Sequence, residues 1–124
     1  MNRILYLVII GLILIGCSSS ETKKSNDLQI RISNVSEFNY DNIKVSTTGE
    51  MVDFGNLNSN SKSDYKTFDK AYKYAYVEFQ INGKTFILQP IDYFGETLLE
   101  NGKYAYELNV NIDAQRVLLE LKNE

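Results

Sequence analysis

Apolar residues along this chain follow two different rules. From Ile4 to Ile15 they run almost without a break, whereas from Leu28 onward they recur at every second position. Alternation of period two sends one set of side chains to a core face and the other to water, which marks a half-buried β-strand. "LQIRIS" sets Leu28, Ile30 and Ile32 against Gln29, Arg31 and Ser33. "NIKVST" repeats the alternation with Ile43 and Val45, "MVDFGNL" adds another apolar segment, and "SDYKTF" places Tyr65 and Thr67 on one face with Phe68 near its end. Between them stand "SNVSEFNYD", "TTGE" and "NSNSKS", rich in the residues that favour turns.

Two hairpins follow. In "YKYAYVEFQINGKTFILQP" the Asn82-Gly83 pair tolerates the positive φ of a two-residue type I′ turn, so Ile81 is expected opposite Lys84. That register pairs Phe79 with Phe86, Val77 with Leu88 and Ala75 with Pro90, all on one face, so turn chemistry and hydrophobic pattern agree. It also sets Tyr76 opposite Gln89 and Tyr74 opposite Ile91, with Ile87 diagonal to Tyr76. Tyr74, Tyr76, Ile87 and Ile91 therefore form an outward stripe that is either covered by the segment "IDYFGETLLENG" or serves as a partner surface. In "KYAYELNVNIDAQRVLLELK" Tyr104, Tyr106, Leu108, Val110 and Ile112 make one stripe, and Val117, Leu119 and Leu121 another. A tight turn at Ala114 and Gln115 would pair Ile112 with Val117, Val110 with Leu119 and Leu108 with Leu121.

No window offers a convincing amphipathic helix. "FDKAYKYAY" would pass for one turn, but the aromatic alternation after it favours a strand. About seven to eight short strands over residues 28–124 predict an all-β fold, an antiparallel β-sandwich in one domain.

The uninterrupted run has a different meaning. Met1, Asn2 and Arg3 precede "ILYLVIIGLILI", and small residues follow at Gly16 and Cys17, the layout of a secretory signal. A membrane-crossing helix needs about 20 apolar residues, and this run stops at Gly16 before a Ser-rich stretch. Leu14, Ile15, Gly16 and Cys17 resemble the lipobox of bacterial lipoproteins. That resemblance implies a diacylglycerol thioether on the Cys17 sulfur, cleavage between Gly16 and Cys17, and acylation of the new amino group by a fatty acid such as palmitate. The competing reading is a buried free cysteine in an uncleaved anchor. Cleavage would leave 108 of the 124 residues and, without Arg3, 12 basic against 16 acidic side chains, a net charge of −4. Nothing basic enough to hold nucleic acid results.

Ser18 to Asp27 contains no aromatic or aliphatic side chain to offset its ordering entropy, so it reads as a flexible tether. As a random coil it would hold the domain on the order of 18 Å from the lipid. The expected organisation is a signal peptide at 1–16, a lipidated cysteine and tether at 17–27, and a sandwich at 28–124. By the lipoprotein resemblance, Ser18 after the cysteine favours the outer membrane of a Gram-negative envelope, with the periplasmic or outer face left open.

Within "LENGKYAY", Glu100, Gly102, Tyr104 and Tyr106 resemble the approach to strand F of immunoglobulin-like domains. The resemblance implies that Tyr104 is a tyrosine corner, its hydroxyl bonded to backbone upstream, while Tyr106 stands where an antibody domain has a cysteine. With no such cysteine and no Trp, only the wider immunoglobulin-like sandwich class applies. From Ile43 onward the chain is also similar to a set of small bacterial lipoproteins with "PIDYFGE" followed by "NGKYAYEL", which implies a fold and a location but no activity.

The chemical inventory is thin. There is no His, the commonest general base and zinc ligand, and Cys17 is assigned to lipid. Asp92 and Glu96 share one loop and are the candidate acid and base for a glycan hydrolase; the plainer reading has Asp92 capping a turn and Glu96 solvated. Asp41, Asp53, Asp64, Asp69 and Asp92 are scattered, with no calcium-loop spacing, so neither metal nor cofactor is expected. The expected function is a lipid-anchored, non-catalytic binding or structural module with an envelope protein or glycan partner. The alternative is an inhibitor or accessory subunit of an envelope enzyme or transport complex, inserting the loop Ile91 to Glu100.

Overall fold

The computed structural model describes residues 27–90 and 97–124. Gly16, Cys17, Ile91, Asp92 and Glu96 lie outside the described residues, as does the whole stretch expected to be signal peptide and lipobox. Nine strands and no helix occur among the described residues: β1 (Leu28–Asn34), β2 (Tyr40–Ser46), β3 (Met51–Leu57), β4 (Ser61–Lys62), β5 (Lys66–Thr67), β6 (Tyr76–Ile81), β7 (Lys84–Leu88), β8 (Gly102–Asn111) and β9 (Arg116–Asn123). They form two sheets. One runs β4-β1-β8-β9 with β5 also on β1; the other runs β3-β2-β6-β7.

Between the sheets lies one apolar core. Ile30 and Ile32 from β1, Ile43 and Val45 from β2, Val77 and Phe79 from β6, and Tyr106 and Leu108 from β8 are fully buried. Each alternates with a more exposed neighbour, as period two requires. Tyr40 stacks on Phe79 with ring centroids 3.9 Å apart, and Phe86 stacks beyond at 6.1 Å. Full burial of one such side chain stabilises the fold by about 1.5–3 kcal/mol. The Tyr40 hydroxyl is not stranded, since it donates to the Leu108 carbonyl across the core at 3.2 Å. Burial nevertheless holds its pKa above the ordinary tyrosine value, partly opposed by a hydrogen bond with Ser36.

The β6–β7 hairpin has the expected register, Ile81 opposite Lys84, Phe79 opposite Phe86 and Val77 opposite Leu88. Asn82 (φ 50°) and Gly83 (φ 82°) both adopt the left-handed conformation that fits the turn to the strand twist. The ladder stops at Val77 and Leu88, so Ala75 with Pro90 and Tyr76 with Gln89 are not strand pairs, while the expected partner of Tyr74, Ile91, lies outside the described residues.

Three expectations need correction. The sandwich is not purely antiparallel: β1 pairs with β8 in parallel along its whole length, from Leu28 opposite Gly102 to Asn34 opposite Leu108. Alternation fixes which face a strand presents and is blind to its direction. The last hairpin is shifted by two residues, with Val110 opposite Val117, Leu108 opposite Leu119 and Tyr106 opposite Leu121. A two-residue shift keeps every side chain on its face, so the pattern cannot detect it. The turn chemistry decides instead: the Asn111 carboxamide oxygen accepts from the Ala114 N–H at 3.0 Å, the Gln115 N–H donates to the Ile112 carbonyl at 3.1 Å, and Gln115 takes φ 52°. Residues 112–115 thus form a four-residue loop. Finally, Tyr65 is in no strand, because "SDYKTF" contributes only the two-residue β5 against the edge of β1.

Candidate functional site

The two ends of the sandwich are built differently, and the difference locates the site. At one end Asn34, 1% exposed, acts as a hub. Its amide donates to the carbonyls of Phe38 (2.8 Å) and Asn58 (3.1 Å), and its oxygen accepts from the Ser36 N–H (2.9 Å) and hydroxyl (2.8 Å). The loops after β1 and β3 are thereby tied to each other. That end is closed.

At the other end, where Asp27 leads into β1, side-chain hydroxyls hold the segment 68–75. The Thr47 hydroxyl, buried at the end of β2, accepts from the Tyr72 N–H and donates to the Tyr74 carbonyl, both at 2.9 Å. The Tyr106 hydroxyl donates to the Tyr72 carbonyl at 2.5 Å. Those bonds draw residues 72–74 out of the strand alternation that begins at Tyr76. Ala71 and Phe68 are buried, the Leu99 N–H donates to the Ala71 carbonyl (2.8 Å), and the Gly102 N–H donates to the Asp27 carbonyl (2.9 Å). The Tyr104 hydroxyl donates to the Glu100 carbonyl four residues upstream at 2.8 Å. Gly102 (φ 148°) makes the bend beneath it, and an added Cβ there would lie 3.7 Å from the Tyr104 ring.

Among the described residues this end carries a cavity of about 700 Å³, whose walls include Thr47, Met51, Lys70, Tyr72, Tyr76 and Leu98. One cross-strand row supplies its floor. Met51 lies opposite Ser46, and Ser46 opposite Tyr76, on the outward side of the second sheet. Met51 and Leu98 are exposed, Tyr76 half-buried. Tyr76 donates its hydroxyl to the Glu78 carboxylate at 2.8 Å, which holds the phenol above its usual pKa and keeps it neutral. The arrangement offers an apolar rim, one ammonium and several hydroxyls; it suits recognition of a partly apolar, partly polar group.

Of the expected stripe, Ile91 lies outside the described residues and the other three are divided. Tyr76 lines this cavity, and Ile87, 49% exposed, lies opposite Glu78 further along the hairpin. Tyr74, 46% exposed, lies instead with Lys73 beside Leu119, Glu120 and Leu121 of β9. Met51, Thr47 and Leu98 were not singled out from sequence. Met51 begins an apolar segment and Leu98 lies in the long loop, but nothing local indicates that strand pairing brings them together.

A second cluster lies on the outer face of the β1 sheet. The Glu124 carboxylate accepts from the Arg31 Nε at 2.6 Å and the Tyr65 hydroxyl at 2.7 Å, with Lys62 at 3.5 Å. Arg31 also lies over the Tyr65 ring at 4.5 Å. The Tyr65 hydrogen bond, followed by Arg31 and Lys62, lowers the Glu124 pKa. Its groups satisfy one another, which is the behaviour of a strut. No three His, Cys, Asp or Glu side chains come close enough to hold a metal ion among the described residues.

No family model and no curated protein matches the chain. One solved structure does. An NMR structure of a protein from Eubacterium rectale superimposes with a TM-score of 0.57 at 20% identity, covering 85% of this chain and 97% of that one. The likeness is one of fold.

Proposed function

We propose that the protein is a lipid-anchored envelope component whose sandwich is a non-catalytic binding module, and that it binds through the cavity end. The observation that carries this is positional. The sandwich begins at Leu28, eleven positions after the cysteine of the lipobox-like stretch, and Asp27 leads in at the end that bears the cavity. A ten-residue coil places that end on the order of 18 Å from the lipid, so the partner is a component lying close to the membrane. Two or three acyl chains on Cys17 would hold the protein stably, where one chain would not. Ser18 in the next position supports the outer membrane. The immunoglobulin-like subtype is supported by the Tyr104 bond to Glu100; the parallel β1 beside β8 departs from it, since strand F there has antiparallel neighbours.

The exposed chains of Met51 and Leu98 beside the Tyr76 ring favour a protein segment over a glycan as the partner. Insertion of the loop Ile91 to Glu100 into an envelope enzyme is the accessory-subunit form of the same reading. Hydrolysis by Asp92 and Glu96 has no geometry among the described residues to support it.

The test is fractionation joined to capture. Cys17→Ala is expected to lose lipid and leave the membrane fraction while its sandwich melts at the unaltered temperature. Retention of the uncleaved chain in the membrane after a high-salt wash would show an anchor in place of a lipoprotein.

A further inference from the structure

Four sheet edges occur among the described residues, and three carry a device that discourages pairing with another chain. β4 and β5 are two residues each. β3 is interrupted by a bulge at Phe54, next to Gly55 (φ 73°). β7 has five residues and is followed at once by Gln89 and Pro90. β9 has none of these: its eight residues, Arg116–Asn123, pair with β8 in unbroken register and contain neither Gly nor Pro.

The polarity of its free side follows from one bond. The Glu124 N–H donates to the Lys103 carbonyl, so even-numbered residues of this strand direct their backbone groups to β8. Val117, Leu119 and Leu121 direct theirs to the open edge. Leu118 is 44% exposed on the outer face, flanked two residues away by Arg116 and Glu120. Lys73 and Tyr74 stand across a gap of about 370 Å³ from Leu119, Glu120 and Leu121.

We propose that β9 is a homodimer interface, pairing antiparallel with β9 of a second copy about a twofold axis at Leu118. That register places Leu118 against Leu118, Val117 against Leu119, and Arg116 against Glu120 twice, so both charges find opposite partners and the backbone groups that meet are those left open. A register centred on Val117 sets Arg116 against Leu118 and leaves both charges without partners, and those on the other side fail on charge. Centring on Leu119 opposes Arg116 to Lys122, and centring on Glu120 opposes two carboxylates. Self-complementarity of this kind is what a twofold interface demands. The axis sets the two Asp27 residues at opposite ends of the joined sheet, so an anchored dimer lies with its strands along the membrane surface.

The experiment uses the detergent-solubilised full chain. Sedimentation is expected to show a concentration-dependent dimer. Arg116→Glu and Glu120→Arg are each expected to weaken it about tenfold by setting like charges opposite one another, and the double exchange Arg116→Glu/Glu120→Arg to restore it. Leu118→Cys in a Cys17→Ser chain is expected to form an intermolecular disulfide on mild oxidation, as two facing residues of a non-hydrogen-bonded pair permit. A chain that stays monomeric at several hundred micromolar, or a double exchange no better than either single change, would overturn the interface. Both charged positions are exposed, so unchanged melting of the variants separates loss of pairing from loss of fold.

Discussion

The Asn34 end and the Thr47 end of the sandwich solve the same problem, how to finish a two-layer fold, with opposite consequences. At the first, one buried carboxamide satisfies four backbone and side-chain groups from two loops and leaves a depression of about 340 Å³, about half the volume at the other end. At the second, three hydroxyls, that of Thr47 just past β2 and those of Tyr104 and Tyr106 on β8, hold crossing segments in place and leave a cavity between them and the strand row of Met51, Ser46 and Tyr76. Closure by one hub makes a structural end. Closure by separate struts makes a rigid frame around an opening, the form a binding site takes.

The largest expected effect tests the hub. Asn34→Leu keeps the volume and strands the Ser36 N–H together with the Phe38 and Asn58 carbonyls, so urea unfolding should show a loss of about 3–4 kcal/mol. A loss under 1 kcal/mol would mean that those groups find water and that the end is not closed. Thr47→Val comes next. It removes one accepted and one donated bond while keeping the shape, with an expected cost of about 2 kcal/mol. Tyr104→Phe removes a single bond to the Glu100 carbonyl and should cost about 1 kcal/mol. If Thr47→Val costs less than Tyr104→Phe, the struts are not ranked by bond count as the geometry has them.

The charged strut on the outer face gives a smaller effect, visible only in pH dependence. The Glu124 pKa is lowered in the folded state, so its contribution is fully present above the unfolded carboxylate value, near 4.5, and fades as pH falls through the lower folded value. Glu124→Gln should therefore flatten the acid limb of a stability–pH curve and leave the slope at neutral pH unchanged. At the alkaline side the sign reverses. Tyr40 is held neutral by burial, so stability is lost as pH rises above about 10, where the unfolded phenol ionises. An acid limb identical in Glu124→Gln and the unaltered chain would remove Glu124 from the account.

How much of this was legible beforehand divides along the same lines. The central hairpin was readable from its turn out to Val77 and Leu88 because two independent signals, Asn82-Gly83 and the aromatic alternation, specify one register. The last hairpin offered only alternation, which a two-residue slip preserves, and the Asn111 side chain settled the loop. The parallel β1 was not readable, since direction leaves no trace in period two. Of the opening, Tyr76 was legible as an outward tyrosine, but its neighbours Met51 and Leu98 are brought to it by pairing between distant segments. Tyr74 left the row because Thr47, 27 residues earlier in the chain, binds its carbonyl.

The central claim is that binding belongs to the open end. Photo-crosslinking in the intact envelope tests it most directly, with the reactive group placed at Tyr76 on the cavity floor or at Thr85, an exposed residue on the same hairpin near the closed end. The account predicts a discrete envelope adduct from position 76, none from position 85, and melting temperatures within about 3 °C of the unaltered chain, the small change expected of surface positions. Equal adducts from both positions, or an adduct from position 85 alone, would contradict it.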